Sequence, residues 1–454
     1  MKATKVIGVL LLVFFLAAFS APACADPLKE LATFQKDDRV LILAPHPDDE
    51  TIGCAGVIMR AREAGAKVKV VYLTSGDNNI FSILFYNPLL FPVRVFFIRG
   101  KDFVTLGQQR QAEAIEAMKI LGLEKEDLTF LGYPDHGTDK MFISYWGDKK
   151  PYESMLSRQK KVPYKDSLSF KEEYKGDNIL ADLKGFILDY RPTKVFVSHA
   201  ADFNGDHWAL YLYLQMVLAD LFDEMPMPKV YSYLVHVPGW PLPRHHHPEL
   251  ELKPPSEDFF SDLSTEITWE QLKLSPDEVE KKFKAMLAYR SQTHISAFYL
   301  FSFIRRNELF SELPVIKLKK QAGKNYNFTG DNQWVSFALV ENYLLLKAKK
   351  PPESKSRSSF IFFLAGYKYG MFFGDMPHIS IHTKFDKFKI YDTISGKPIE
   401  PKDASLAFGP EAITLKIPLG LLGNPDAFLF SLHSYNSRFL PGGCSAFRRV
   451  VIEP

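Results

Sequence analysis

Between Val40 and Phe222, short runs of β-branched and aliphatic residues alternate with segments of helical length, and this alternation restricts the fold more than any other feature of the 454-residue chain. It predicts strands at Val40–Ala44, Lys67–Thr74, Leu128–Leu131 and Lys194–Ser198. Helices are predicted at Glu50–Ala64, Gln108–Leu121, Asp177–Tyr190 and Asp206–Phe222, with Gly65, Gly122 and Pro192 placed to stop three of them. Strands joined through helices imply right-handed crossovers and a mostly parallel sheet. Ligands of such α/β sheets bind beyond the carboxyl ends of the strands. The pattern runs to about Phe310, so a first domain is expected over residues 35–312.

After Glu312 the character changes. Runs such as Tyr343–Ala348, Phe360–Leu364, His378–His382, Ile413–Ile417 and Phe428–Leu432 are separated by turn residues with no helical period between them. This is the signature of an all-β sandwich, expected over residues 325–454. With 46% hydrophobic and 24% charged residues the chain can build both cores, and a formal charge of +3 gives no electrostatic reason to expect nucleic acid as a partner.

Lys2 and Lys5, the uncharged apolar run Val6–Phe19 and the small residues Ala23-Cys24-Ala25 form a leader pattern, so residues 1–25 are expected to be a signal peptide and the chain to be exported, periplasmic or extracellular. Only Cys54 and Cys444 then remain, which is not a disulfide framework. Ile80–Ile98 is an aromatic, proline-broken insertion, expected as a loop or hairpin packed on the domain or as a lip contacting a membrane surface or a glycan. Lys140–Lys175 reads as a polar surface excursion.

The chemistry concentrates at two strand ends. Pro45-His46-Pro47-Asp48-Asp49-Glu50 places one imidazole and three carboxylates within five residues, too dense a charge for a core. One reading makes Asp48 or Asp49 a helix cap. The other makes His46 and Asp49 half of a metal site with Asp48 free for proton transfer. Asn204-Gly205-Asp206-His207 follows the strand ending at Ser198-His199, and if the two strands are neighbours His207 completes the site. Two imidazoles and one carboxylate leave open positions, which suits Zn²⁺ in a catalytic site and equally suits ferrous iron.

The His46–Glu50 stretch followed by Gly53 resembles the signature of the LmbE/PIG-L family of zinc-dependent N-acetylglucosamine deacetylases. Arg110-x-x-Glu113, Gly132-Tyr133-Pro134-Asp135, Gly205-Asp206-His207, Lys284-Ala285 and Ser291-Gln292 extend the resemblance over roughly Asp38 to Phe310. The resemblance implies a Rossmann-like sheet, zinc held by His46, Asp49 and His207, Asp48 as general base, and Arg110 and Asp135 in the substrate pocket. Where many members have His-Pro-Asp-His, this chain has Asn204-Gly205-Asp206-His207. The replaced histidine is the one usually assigned to the oxyanion, with the aspartate supporting it. Asn204 still offers an amide donor, and one such donor contributes about 3 kcal/mol, so Asn204 and Asp206 are carried as catalytic positions. His199 or His136 could supply the lost group, and His199 is carried as a pocket residue. The second domain, through Phe328-x-Gly330, Trp334, Lys416–Leu419, Leu421–Gly423 and Phe447–Arg449, resembles carbohydrate-binding modules of the family-nine type.

The expected activity is hydrolysis of the N-acetyl amide of an N-acetylglucosamine-containing glycan, releasing acetate. The alternatives are an amidohydrolase acting on a small or lipid-linked amino-sugar conjugate, with peripheral membrane contact through residues 80–98, and a glycan-binding protein whose catalytic site has decayed.

Overall fold

The computed structural model describes residues 28–85, 98–255, 267–312, 315–323, 326–329, 335–350, 359–384, 386–400, 402–435, 441–444 and 447–453. The leader at 1–25, most of the insertion at 86–97, and Gly330 and Trp334 lie outside them. Among the described residues no helix is long and apolar enough to cross a membrane.

The first sheet has eight strands: β1 (Lys29–Glu30), β2 (Arg39–Ala44), β3 (Lys67–Thr74), β4 (Leu128–Tyr133), β5 (Lys194–Ser198), β6 (Lys229–Tyr233), β7 (Thr268–Lys273) and β8 (Asn307–Glu312). Their spatial order is β1-β7-β8-β6-β5-β2-β3-β4. The five strands from β4 to β6 are mutually parallel, and β8 runs antiparallel to β6 and β7. Helices α1 (Asp49–Glu63), α2 (Ile80–Phe85), α3 (Gly100–Leu121), α4 (Thr138–Ser144), α5 (Gly176–Tyr190), α6 (Gly205–Asp220), α7 (Pro276–Ala288) and α8 (Arg290–Leu300) accompany it.

β2 shows why the apolar run Val40–Leu43 is continuous rather than alternating. Val40, Ile42 and Ala44 face one apolar cluster while Leu41 and Leu43 face another, so the strand is buried on both sides. From β2 the chain winds outward to β3 and β4, then returns to place β5 on the other side of β2. The loops after β2 and β5 therefore diverge, and the crevice between them is the natural ligand position of an open α/β sheet.

The predicted strands and helices up to Phe222 are all present, with α3 starting earlier than Gln108. Helix α7, opened by a Ser275–Glu278 capping box, and strands β6, β7 and β8 complete the domain. Ile80–Phe85 is helical rather than a loop or hairpin, and Ile83 packs with Phe103 and Leu106. Lys140–Lys175 is not a surface excursion. Trp146, Tyr152, Val162, Tyr164 and Tyr174 from it are buried in the second apolar cluster, and Tyr164 Oη donates to Asp77 Oδ2 at 2.8 Å.

The second sheet has twelve strands, almost all antiparallel, beginning with Ile316–Gln321. That strand lies parallel between Arg448–Glu453 and Val335–Val340, linking two halves that close over a core of Phe337, Leu346, Phe362, Ile381, Leu415 and Phe430. Along Ser359–Tyr367 the side chains alternate: Phe360, Phe362 and Leu364 enter this core, while Ala365 and Tyr367 face the first domain. There Trp146 is surrounded by the rings of Phe142, Tyr213, Phe373 and His378 at 6.0, 6.1, 5.2 and 5.8 Å, and Trp208 stacks on Phe447 at 4.5 Å. The two sheets thus share an apolar interior, each large side chain in it contributing roughly 1.5–3 kcal/mol.

Candidate metal centre

The loop after β2 is held in an unusual shape. Asp48 has φ 126°, a backbone region that side chains rarely enter, and although it precedes α1 its carboxylate makes no capping bond. Three contacts fix it. Glu50 Oε2 accepts from Asp48 N at 3.1 Å, while Arg110 Nη2 donates to Pro47 O at 2.6 Å and to Asp48 Oδ2 at 3.1 Å. Glu50 is itself held by Thr51 Oγ1 and by the Tyr289 hydroxyl. A buried pair beneath α1 anchors the helix, with Lys282 Nζ donating to Ile52 O and Glu308, and Glu308 accepting from Gly56 N.

In the β2/β5 crevice, His46 Nδ1 lies 3.1 Å from Asp49 Oδ2, His207 Nε2 lies 3.1 Å from the same oxygen, and the two nitrogens are 3.3 Å apart. A tetrahedral ion bound at about 2.0–2.1 Å from each atom would set its ligands roughly 3.3 Å apart, so the triangle fits a metal ion without rearrangement.

The rear of each ring agrees. His46 Nε2 lies 3.2 Å from Asp206 Oδ2 and 3.1 Å from Asp135 Oδ1. His207 Nδ1 lies 3.1 Å from Asp202 Oδ2. A carboxylate lies behind each imidazole, and an N–H on that side leaves the lone pairs converging on Asp49, as metal-ligating histidines require. Burial pushes both imidazoles toward the neutral form, but the carboxylates outweigh it: Asp135 above all raises His46 well above the usual range, and Asp202 raises His207 to about 9. The triangle therefore attracts positive charge, as a proton or as a metal ion.

Asp48 adjoins the triangle without joining it. Burial raises its carboxyl to about 7, against the pull of Arg110. Asp135 is depressed despite its burial because His46 lies against it.

The remaining predicted residues divide. Asn204 caps α6 through Oδ1, which accepts from Asp206 N at 2.9 Å, and its amide lines the cleft. Asp206 has no exposed surface; it accepts from His136 N, Thr138 N and Thr138 Oγ1 and stands behind His46, so it positions the ligand rather than meeting substrate. Arg110 and Asp135 line the cleft, both spending charge on the loop itself. His199, expected in the substrate pocket, does not reach it. It is fully buried, its Nδ1 accepts from Ala201 N, its ring stacks on Trp269, and it does not line the cleft. Full burial against Trp269 of β7 closes it to substrate. His136, half-exposed, is at the cleft.

The cleft encloses about 380 Å³. His236, Tyr299, Gln292, Asn78 and Asn79 also line it; of these the sequence singles out Gln292 alone, as part of the Ser291-Gln292 motif and without a role. His236 lies three residues past the end of a short strand of mixed composition, β6, and carries no motif. Only the parallel register of β6 beside β5 brings it to the site.

Residues 41–217 match the family model described as PIG-L: GlcNAc-PI de-N-acetylase. No curated protein matches the chain. Among solved structures, the conserved protein TT1542 from Thermus thermophilus is 20% identical over 56% of this chain and 80% of that one, with a TM-score of 0.31. N,N'-diacetylchitobiose deacetylase from Pyrococcus horikoshii is 18% identical over 61% and 84%, with a TM-score of 0.33. GalB, a 4-carboxy-2-hydroxymuconate hydratase from Pseudomonas putida, is 16% identical over 59% and 82%, with a TM-score of 0.34. The stretch of this chain that is similar to the PIG-L family, residues 41–217, carries all three corners of the His46–Asp49–His207 triangle together with Asp48, Arg110 and Asp135.

Proposed function

We propose that the chain is a zinc-dependent deacetylase that hydrolyses the N-acetyl amide of an N-acetylglucosamine-containing glycan or glycoconjugate. The observation that carries this is Asp48, a buried carboxylate fixed beside a triangle of metal-ligating atoms yet engaged by Arg110 rather than by the triangle. His46, Asp49 and His207 would hold the ion; ferrous iron suits the same set. When bound, such an ion supplies a Lewis acid and lowers the pKa of water. Asp48, through the oxygen not engaged by Arg110, takes the proton of the attacking water and returns it to the leaving nitrogen as the C–N bond breaks, yielding acetate and a free amine. Arg110 and Glu50 keep that carboxylate from swinging away. The leader pattern of residues 1–25 supports action on a substrate outside the cytoplasm.

The test is acetate release from a panel of N-acetylated amino sugars and their oligomers by purified, zinc-loaded protein. Release from at least one, reduced about 10²–10⁴-fold in Asp48→Asn, is expected. No release from any, or an Asp48→Asn variant as fast as wild type, would falsify it.

A second substrate class has its own observation. Ile80 and Phe81, the latter 57% exposed, line the cleft mouth and suit an apolar aglycone or lipid-linked sugar. An N-acetylglucosaminide with an octyl aglycone should then show a lower KM than the free sugar, and equal KM values would remove this class.

A further inference from the structure

His236 is an imidazole in the cleft that the chemistry above does not use. Its surroundings fix it closely. The backbone N–H donates to Asp202 Oδ2 at 2.9 Å and the carbonyl accepts from Phe203 N at 2.9 Å, so residues 235–236 are fastened to the loop carrying Asp202. The ring meets His207 edge-on, centroids 4.7 Å apart at 70°, and lies nearly parallel to Tyr299 at 6.1 Å and 14°. Tyr299 is immobilised in turn, donating its hydroxyl to Val235 O at 2.6 Å under the Arg244 guanidinium.

Among the described residues no hydrogen bond reaches either ring nitrogen of His236, yet the ring lines the cleft wall. One of those nitrogens is within 4.8 Å of a ring nitrogen of His207 and a carboxylate oxygen of Asp202. The residue is only partly buried, so its ring is open to the cleft while His207 and Tyr299 hold its position beside the triangle.

We propose that His236 donates a hydrogen bond to the substrate's amide oxygen as that oxygen gains negative charge, a role that rests on the deacetylation proposed above. Either protonation state of an imidazole carries at least one N–H. The other donors at the cleft are less suited. Arg110 is committed to Gly76 O, Pro47 O and Asp48, the Tyr299 hydroxyl to Val235 O, and His136 stands half-exposed. The Asn79 and Gln292 amides are spent on Gln292 and on Ser82 and Ser291, which leaves the Asn204 and Asn78 amides as further donors beside His236.

The experiment compares zinc-loaded wild type with His236→Ala and His236→Gln. Loss of one oxyanion donor lowers kcat about 10²–10³-fold, so His236→Ala should show that fall with KM, zinc content and thermal midpoint unchanged, and His236→Gln, which keeps an N–H donor, should recover part of it. Affinity for a phosphonate analogue of the tetrahedral intermediate should fall with kcat/KM, while affinity for the amine product stays constant. A His236→Ala variant with wild-type kcat, or one whose loss tracks zinc content or unfolding, overturns the assignment and leaves the deacetylation standing. A wild-type chain that releases no acetate at all overturns both.

Discussion

Asp202 Oδ2 lies 3.1 Å from His207 Nδ1, on the side of the ring opposite Asp49, and the same carboxylate oxygen accepts from the backbone of Val235 and His236. One buried group therefore orients a ligand and ties together the loops after β5 and β6. Burial opposes its charge, but His207 beside it holds its carboxyl below the usual range. Replacing Asp202 by Asn removes the charge while keeping most of the shape. Zinc affinity should fall about 10–100-fold, read by competition with a chromophoric chelator; unchanged affinity would show that the carboxylate is not needed behind His207.

Gly76 faces Arg110 with no room for a side chain. A Cβ there would stand 2.1 Å from Arg110 Nη1, and the backbone has φ 62°. Gly76→Ala should cost about 1–3 kcal/mol from backbone strain and push the guanidinium off Asp48, so denaturant unfolding and kcat should drop together. A variant as active as wild type would mean that Arg110 does not control Asp48.

Trp146 fills the junction of the two sheets. Trp146→Ala should destabilise by about 3–5 kcal/mol, and because the apolar interior is continuous, urea unfolding of the wild type should appear as one transition at tryptophan fluorescence and far-UV circular dichroism alike. Two separated transitions would contradict the shared core.

His378 is buried against Trp146 and Phe373 with Nε2 3.1 Å from Phe373 O, and burial pushes its imidazole down to about 4. A depressed histidine stays neutral in the folded chain while the unfolded chain protonates near its ordinary value, so stability is intact above pH about 6.5 and declines as the pH falls toward 4, by about 1.4 kcal/mol per unit. His378→Leu should flatten part of that decline between pH about 6.5 and 4.5 in chemical unfolding. An unaltered slope would locate the titration elsewhere.

The first domain was legible from sequence where physics left one choice. Apolar runs joined through helix-length segments required a mostly parallel sheet, and the resemblance separated Asp48 from Asp49. What sequence could not show was which way a side chain leaves a strand end. His199 and His207 both follow β5, yet one packs against Trp269 of β7 and the other enters the crevice. Asp206, read as a supporter of the oxyanion site, instead stands behind His46. His236 was invisible because its position depends on β6 lying beside β5, a non-local fact. Lys140–Lys175 misled because its buried aromatics are irregularly spaced, held by individual contacts such as that of Tyr164 with Asp77 rather than by a periodic face.

The carboxylates around the triangle also bear on traffic through the cleft. Asp49, Asp135 and Asp206 stand against His46, Asp202 against His207 and Glu50 beside Asp48, and Arg110 together with one bound divalent ion would offset only part of that charge, so the surroundings of the cleft stay anionic. An acetate anion produced there is repelled outward, whereas an amine that picks up a proton is drawn back. The two products should leave at unequal rates, with the amino sugar last out and the stronger inhibitor, and acidic sugars should enter against the field.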